Sequence, residues 1–230
     1  MPEFVTPAFA GLLLRSVPQV VRRDAHVAMG ALAPWGFVSP QLVQDTNGGV
    51  ADHELHVDGE LVQIPYRVSF PWPSTPFAAR LHPRRKAVLS AWMTRSDRAG
   101  TRQRALRELV TCREPWIVPF VVQLCGEYVH EIGADVARFV TVELPRHTEL
   151  RNAFARFVRD NPRYLATTRH RAVGFRDLDH RWTFRDDLDR PYPQIAALDA
   201  LAVLAYGGGH AYPGEPPARR PEYSSGVAGA

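Results

Sequence analysis

An almost uninterrupted apolar run, PWIVPFVVQLCGEYVHEI at residues 115–132, is the feature that most constrains this chain. A run this apolar belongs in a protein interior. On a helix with 100° per residue, the apolar side chains fill most of the circumference and leave a narrow polar arc. That arc holds Glu127 and His130. We therefore predict a mostly buried helix from Trp116 onward, with Glu127 and His130 on its one hydrophilic side.

Two carboxylates fall where the helical pattern requires apolar side chains. Glu131 points into the flank of the apolar sector, and Asp179 shares a sector with the aromatic residues of segment 160–190. A buried carboxylate is costly unless it is paired or protonated. An arginine partner, a position at a pocket or fraying of the helix end would each explain Glu131. For Asp179 we expect an arginine, because its segment carries seven arginines against six aspartates.

An acid-x-x-His spacing occurs twice, at Glu127–His130 and at Asp177–His180, and a glutamate precedes each pair on an earlier predicted helix. Di-iron four-helix bundles use this spacing. For the Glu127–His130 pair, however, the preceding glutamate, Glu108, would lie about 12 Å from Glu127 along the helix axis. In the second pair, Asp177 and His180 face away from the apolar side of their own predicted helix. We predict no metal centre; the residues that one would use are Glu127, His130, Glu149, Asp177 and His180.

Residues 80–113 form a basic block, with ten basic residues against two acidic ones. Their net charge is 10 − 2 = +8, whereas the whole chain carries +4. Two predicted helices joined by a break at 96–100 resemble, loosely, a helix-turn-helix. Alternatively, these side chains cover a helix surface and pair with acids of the same chain or of a partner. The candidate nucleic-acid contacts are Arg84, Arg85, Lys86, Arg95, Arg98, Arg102 and Arg104.

The N-terminal third combines a helical segment with one hairpin. Residues 8–32 have a helical pattern that Pro18 must start, kink or break, and residues 33–50 are rich in turn formers. The Asp58–Gly59 pair between alternating apolar residues predicts a two-residue β-turn. In that register Leu55, Val57, Val62 and Ile64 share one face.

Prolines and apolar periodicity divide the remainder of the chain. Three prolines in 70–77 exclude regular structure there and mark a sub-boundary. Helices are then expected from Pro83, from a cap at Thr101, over 147–160, from the Asn161–Pro162 pair, and over 194–206. We predict an α+β protein with a single domain over 1–206, whose mainly helical part (83–206) packs with the N-terminal helix and the hairpin. A Gly- and Pro-rich tail at 207–230 is expected to be disordered.

The composition and the absence of known motifs limit the function classes. With 45% hydrophobic and 23% charged residues the chain is of ordinary globular type. Its two cysteines, Cys112 and Cys125, are too few for a disulfide framework. No stretch approaches the roughly 18 apolar residues of a membrane span, and Glu3 stands where a signal peptide carries positive charge. We expect a cytoplasmic protein, and the bias towards arginine favours a bacterium with a GC-rich genome.

Three functions remain open from the sequence. No catalytic or phosphate-binding signature is present, so the first expectation is a non-enzymatic protein that binds a protein partner and needs no cofactor and no membrane. The second is nucleic-acid binding through residues 80–113. The third is an enzyme with an acid pair near Glu131 and Asp179.

Overall fold

The computed structural model describes residues 7–32, 54–68, 71–73, 75–184 and 191–208. The N-terminal helical pattern forms two helices, α1 (Pro7–Arg15) and α2 (Gln19–Met29), which are separated at Pro18. Proline breaks the helix because it lacks the N–H group that helical hydrogen bonding requires and clashes with the preceding turn. The predicted loop at 33–50 lies outside the described residues.

The predicted hairpin is present, with strands β1 (Glu54–Val57) and β2 (Glu60–Gln63). Leu55 faces Val62 and Val57 faces Glu60, as the turn chemistry predicts. Asp58 and Gly59 both adopt positive φ, at 50° and 85°, which a two-residue turn of type I′ requires. The apolar face of the hairpin is buried in the hydrophobic core.

Three helices follow: α3 (Pro76–Arg80), α4 (Pro83–Met93) and α5 (Ala99–Leu109). The short α3 occupies part of the stretch that its prolines led us to predict as irregular. Thr101 does not cap α5, because the helix begins two residues earlier and Ser96 Oγ accepts a hydrogen bond from the Arg98 N–H. Ser96 also forms a parallel bridge with Val68.

The apolar run is not one helix, so this prediction was wrong. Its helical part, α6 (Val118–Gln123), lies between two 3₁₀ turns, and the next helix, α7, covers His130–Arg138. Between them Glu127 is extended, with φ −96° and ψ 150°. The Gln194 carboxamide donates hydrogen bonds to the carbonyl oxygens of Glu127 and Val129, at 2.9 and 3.1 Å. These bonds satisfy carbonyl groups that the broken helix leaves free.

The C-terminal half contains α8 (Thr148–Asp160), α9 (Pro162–Phe175) and α10 (Pro193–Tyr206). Helix α10 packs against α7, α8 and α9, and ends at Gly207, whose φ of 83° suits glycine. The α+β class is confirmed, since helices and one antiparallel hairpin share a core. Among the described helices, none has the length and apolar character that crossing a bilayer demands. The predicted tail lies outside the description from residue 209 onward.

Asn161 joins the hairpin to the C-terminal helices. Helix α9 begins at Pro162 as predicted, but the Asn161 side chain does not cap it. Instead, its carboxamide accepts from the His56 N–H at 2.8 Å and donates to the His56 carbonyl at 2.9 Å. It donates to the Phe157 carbonyl as well, at 2.8 Å. A buried amide thus pairs with β1 as a neighbouring strand would.

Candidate functional site

A cleft of about 960 Å³ lies between α4 and α5 and extends to the segment at Trp72 and Pro73. We call it the basic cleft. Both α4 and α5 present one face to it. From α4 come Pro83, Ala87, Ser90 and Met93, a spacing of three or four residues that places side chains on one side of a helix. That face is about 15 Å long, from the rise of a helix per residue.

The charge of the basic cleft is positive. Its lining includes five cationic side chains and two carboxylates, which gives 5 − 2 = +3 with histidine neutral. The cationic residues are Arg84, Lys86, Arg104, Arg107 and Arg113, and the carboxylates are Glu108 and Glu114. The cleft thus concentrates most of the exposed positive charge of the basic block around the α4 face. Pro83, Ala87 and Met93 make this face mainly apolar, and we call it the apolar floor.

Three of the five cations are held in place by carboxylates. Arg84 contacts Glu114 at 2.8 Å, Arg104 contacts Glu108 at 3.2 Å, and Arg107 contacts Asp135 on α7 at 2.9 Å.

Lys86 and Arg113 differ, because the described part of the chain offers neither of them a carboxylate partner. Arg113 donates to the Val110 carbonyl at 2.8 Å. These two charges therefore remain available to a ligand.

Trp72 supplies an aromatic wall to the basic cleft. The Arg104 guanidinium lies over its ring, 4.0 Å from the centroid, a cation–π contact that fixes both side chains. On the other side Arg104 holds Glu108, whose second oxygen accepts from Ser90 Oγ at 3.2 Å. The contacts preorganise one end of the cleft.

The structure divides the predicted nucleic-acid contacts into two groups. Lys86, Arg98 and Arg104 are exposed, and Arg84 and Arg85 are partly exposed and pair with Asp24 on α2 at 3.4 and 2.9 Å. The other two contradict the prediction: Arg95 and Arg102 are 0% and 1% exposed. They face the interior because their partner, Glu127, is inside.

Glu127 is buried between three arginines, and we call Glu127, Arg67, Arg95 and Arg102 the arginine cluster. Arg67 binds both carboxylate oxygens, at 2.7 and 2.6 Å, whereas Arg95 and Arg102 approach to 3.4 and 3.5 Å. The prediction that Glu127 lies on a hydrophilic helix side was wrong, since its side chain is only 3% exposed. The break before α7 removes Glu127 from the helical wheel on which that prediction was based.

Backbone carbonyls complete the surroundings of the two enclosed arginines. Arg95 donates to the carbonyls of Pro65 and Tyr66 at 3.2 and 2.7 Å. Arg102 donates from Nη1 to the carbonyls of Ser96 and Asp97 at 2.9 and 3.0 Å. The arginine cluster thus connects the chain after the hairpin to the start of α5.

Burial and neighbouring charges both shift pKa values in the arginine cluster. Burial lowers the pKa of Arg95 to about 10, and Arg67 adds to this effect. Burial alone would raise the pKa of Glu127, but Arg95, Arg67 and Arg102 together hold it below its ordinary value of 4.5. Glu127 is therefore ionised at neutral pH, with three cations around one anion.

The two buried acid candidates are corrected by the structure, because Glu131 and Asp179 are both exposed. Glu131 lies in the first turn of α7, where a carboxylate is favourable. Among the described residues, neither acid has an arginine partner. Both lie near the Tyr192 hydroxyl, whose pKa is raised by burial and further by Asp179 and Glu131.

His130 and His180, the histidines of the two acid-x-x-His motifs, do meet. Their ring centroids are 5.1 Å apart, and His180 stacks on Tyr192 at 5.6 Å. His130 contacts Glu131 at 3.5 Å, and His180 Nε2 bonds to the Tyr128 carbonyl at 2.8 Å. The structure thus brings together the histidines of the motifs.

The acids of the two motifs lie elsewhere. Glu127 faces the arginines, Asp177 is exposed and pairs with Arg176 at 2.8 Å, and Glu149 is exposed in the first turn of α8. Within the described ranges, no group of three or more His, Cys, Asp or Glu side chains is arranged to hold a metal ion.

Arg67 is the site residue that sequence reasoning missed. It lies outside the basic block, in the segment that follows the hairpin. Comparison of the chain with protein-family models, with curated proteins and with solved structures gave no match.

Proposed function

We propose that this protein binds a partner protein by accommodating an acidic, amphipathic helical segment of that partner in the basic cleft. The observation that carries the proposal is the combination of an apolar floor about 15 Å long with a lining charge of +3. An amphipathic helix in a groove is a common mode of peptide recognition. About ten residues of such a helix span the length of the α4 face.

The distribution of charge favours an elongated ligand. The cations lie on α4, on α5 and on the turn after α5, so they surround the floor instead of converging on one point. Carboxylates repeated along a helix can meet several of them. Lys86 and Arg113 are the strongest attractors, because no described carboxylate neutralises them. Opposite charge around an apolar floor also accelerates encounter and selects against basic partners.

The exposed surface supports this function better than nucleic-acid binding. Arg95 and Arg102 are enclosed, and Arg84 and Arg85 share Asp24. The charge that remains lines a concave apolar cleft, whereas a protein–DNA interface makes half to two-thirds of its hydrogen bonds to phosphate and sugar.

A labelled synthetic helix tests the proposal by fluorescence anisotropy. The probe has leucines at positions i, i+3, i+4 and i+7 and glutamates elsewhere. We expect saturable binding that weakens with salt, and loss of binding when lysines replace the glutamates. A probe of the same composition in scrambled order should bind more weakly, because its leucines no longer share a face.

The matched variants are Lys86→Glu/Arg113→Glu and Arg98→Glu/Arg163→Glu. All four side chains are exposed, and each pair changes the net charge equally. The first pair should weaken binding by about tenfold or more, because each reversal replaces an attraction of up to about 1 kcal/mol by a repulsion. The second should have little effect. If both double variants lose the same affinity for the probe, or if the scrambled probe binds as tightly as the amphipathic one, only net charge matters and the proposal is refuted.

A further inference from the structure

A fourth arginine, Arg171 on α9, extends the arginine cluster towards the surface. Its guanidinium lies over the Tyr66 ring, 5.7 Å from the centroid, and Arg67 lies over the same ring at 4.6 Å. Arg171 has no carboxylate partner in the described part of the chain. Three guanidinium groups thus share Glu127 as their described counter-ion, and Arg171 adds a fourth positive charge beside them.

This excess of charge is unusual for a protein interior. Desolvated cations are unfavourable unless anions or dipoles compensate them. Carbonyl oxygens do so for Arg95 and for Nη1 of Arg102. Nε and Nη2 of Arg102 are buried without a hydrogen-bond partner, although Nη2 lies 3.5 Å from the Glu127 carboxylate. An additional anion would lower the free energy of this region.

Only the outer arginines are accessible to such an anion. The Arg67 side chain is 16% exposed, and Arg171 is partly exposed. Tyr66, whose ring both guanidinium groups contact, is also partly exposed. Arg95 and Arg102 carry two positive charges against the one negative charge of Glu127. Salt screens these charges little, because their side chains are enclosed. The surface above the cluster therefore combines two partly exposed guanidinium groups with a buried net positive charge.

We propose that the Arg67–Tyr66–Arg171 surface binds a diphosphate group of a small molecule. Guanidinium groups bind phosphate oxygens through paired, charge-assisted hydrogen bonds. A diphosphate suits two separate arginines better than a single phosphate does, since its oxygens are spread over two phosphorus centres. The Glu127 carboxylate accepts from both terminal nitrogens of Arg67, and Nη1 also donates to the Tyr66 carbonyl at 3.1 Å. The orientation of one of the two guanidinium groups is therefore fixed before an anion binds.

Calorimetric titration with inorganic pyrophosphate at low ionic strength tests this site. We expect one pyrophosphate per chain in the wild-type protein and at least about tenfold weaker binding in Arg171→Gln, the typical effect of losing a charged hydrogen bond. Arg171→Gln removes no described ion pair, so the variant should fold normally, as its urea midpoint will show. Arg163→Gln, an exposed position on the same helix, is the control and should bind like wild type.

The basic cleft is the competing location for pyrophosphate, and Lys86→Gln separates the two sites. The proposal requires that Lys86→Gln binds pyrophosphate normally. It is overturned if Lys86→Gln loses binding while Arg171→Gln keeps it, if Arg163→Gln and Arg171→Gln weaken binding equally, or if no binding is detected.

Discussion

Replacing Glu127 by glutamine should strongly destabilise the protein. The substitution keeps the size of the side chain but leaves Arg95 and Arg102, which are 0% and 1% exposed, without their carboxylate. It also removes the two-point contact with Arg67. Breaking a buried ion pair by removing one partner costs about 3–5 kcal/mol. Because a domain has roughly 5–15 kcal/mol of stability, this loss is a large share of the total.

Urea unfolding followed by circular dichroism measures this change at pH 7. The matched control is Glu131→Gln, four residues along, whose carboxylate is 58% exposed. It should change the free energy of unfolding by no more than about 0.5 kcal/mol. If Glu127→Gln also stays within about 1 kcal/mol of wild type, well below the cost of a broken buried pair, the arginine cluster does not hold the fold together and our reasoning is wrong.

The pH dependence gives the same prediction a second test. Because the arginines hold the pKa of Glu127 below 4.5, its ionisation stabilises the folded state fully above that pH. This contribution disappears as the pH falls through the lower folded-state pKa. The stability difference between wild type and Glu127→Gln should therefore be constant from pH 7 to about 5 and shrink in more acidic solution. A difference that grows on acidification would contradict this assignment.

Three further outcomes follow from particular contacts. Asn161→Ala should lower the free energy of unfolding by about 1–3 kcal/mol in urea titrations, because the backbone of His56 in β1 loses both hydrogen bonds. Gly133→Ala should cost about 1–3 kcal/mol in the same assay, since its methyl group would overlap the buried Gln194 carboxamide that holds the break before α7. In the native protein an aromatic disulfide reagent should leave Cys125 unmodified, because it is 0% exposed and burial raises its pKa to about 12; it should react after unfolding.

Local patterns predicted the parts of the fold that local chemistry determines. The Asp58–Gly59 turn set the register of the hairpin, and Pro162 and Gly207 marked a helix start and a helix end. Each of these features depends on the backbone preference of one or two residues. Neighbours in the sequence are enough to define them.

The arginine cluster could not be predicted in the same way, because its partners are far apart in the sequence. Glu127 meets Arg67 across 60 residues and Gln194 across 67. These contacts overrode the helical periodicity of the apolar run, and the break they stabilise exposed Glu131. Mixed signals within the run, such as a glycine followed by a glutamate, were compatible with a continuous helix. Only the three-dimensional arrangement shows that the glutamate is enclosed.

The basic block was visible in the sequence, but its division was not. Arg95 and Arg102 have the same side chain as Arg104, and charge counting treats all three alike. Burial separates them: the first two face Glu127, whereas Arg104 lines the basic cleft. The helical spacing that places Lys86 and Arg104 on facing walls becomes apparent only when α4 and α5 are packed together.

Hydrogen–deuterium exchange of the protein with the acidic amphipathic probe tests the account's main claim most directly. At saturating probe, we predict slower amide exchange in α4 and α5 and in the turn at 110–114, with no change in the hairpin or in α9. Slower exchange concentrated elsewhere, or none in α4 and α5 under conditions where the probe is bound, would contradict the assignment of the basic cleft as the partner-binding site.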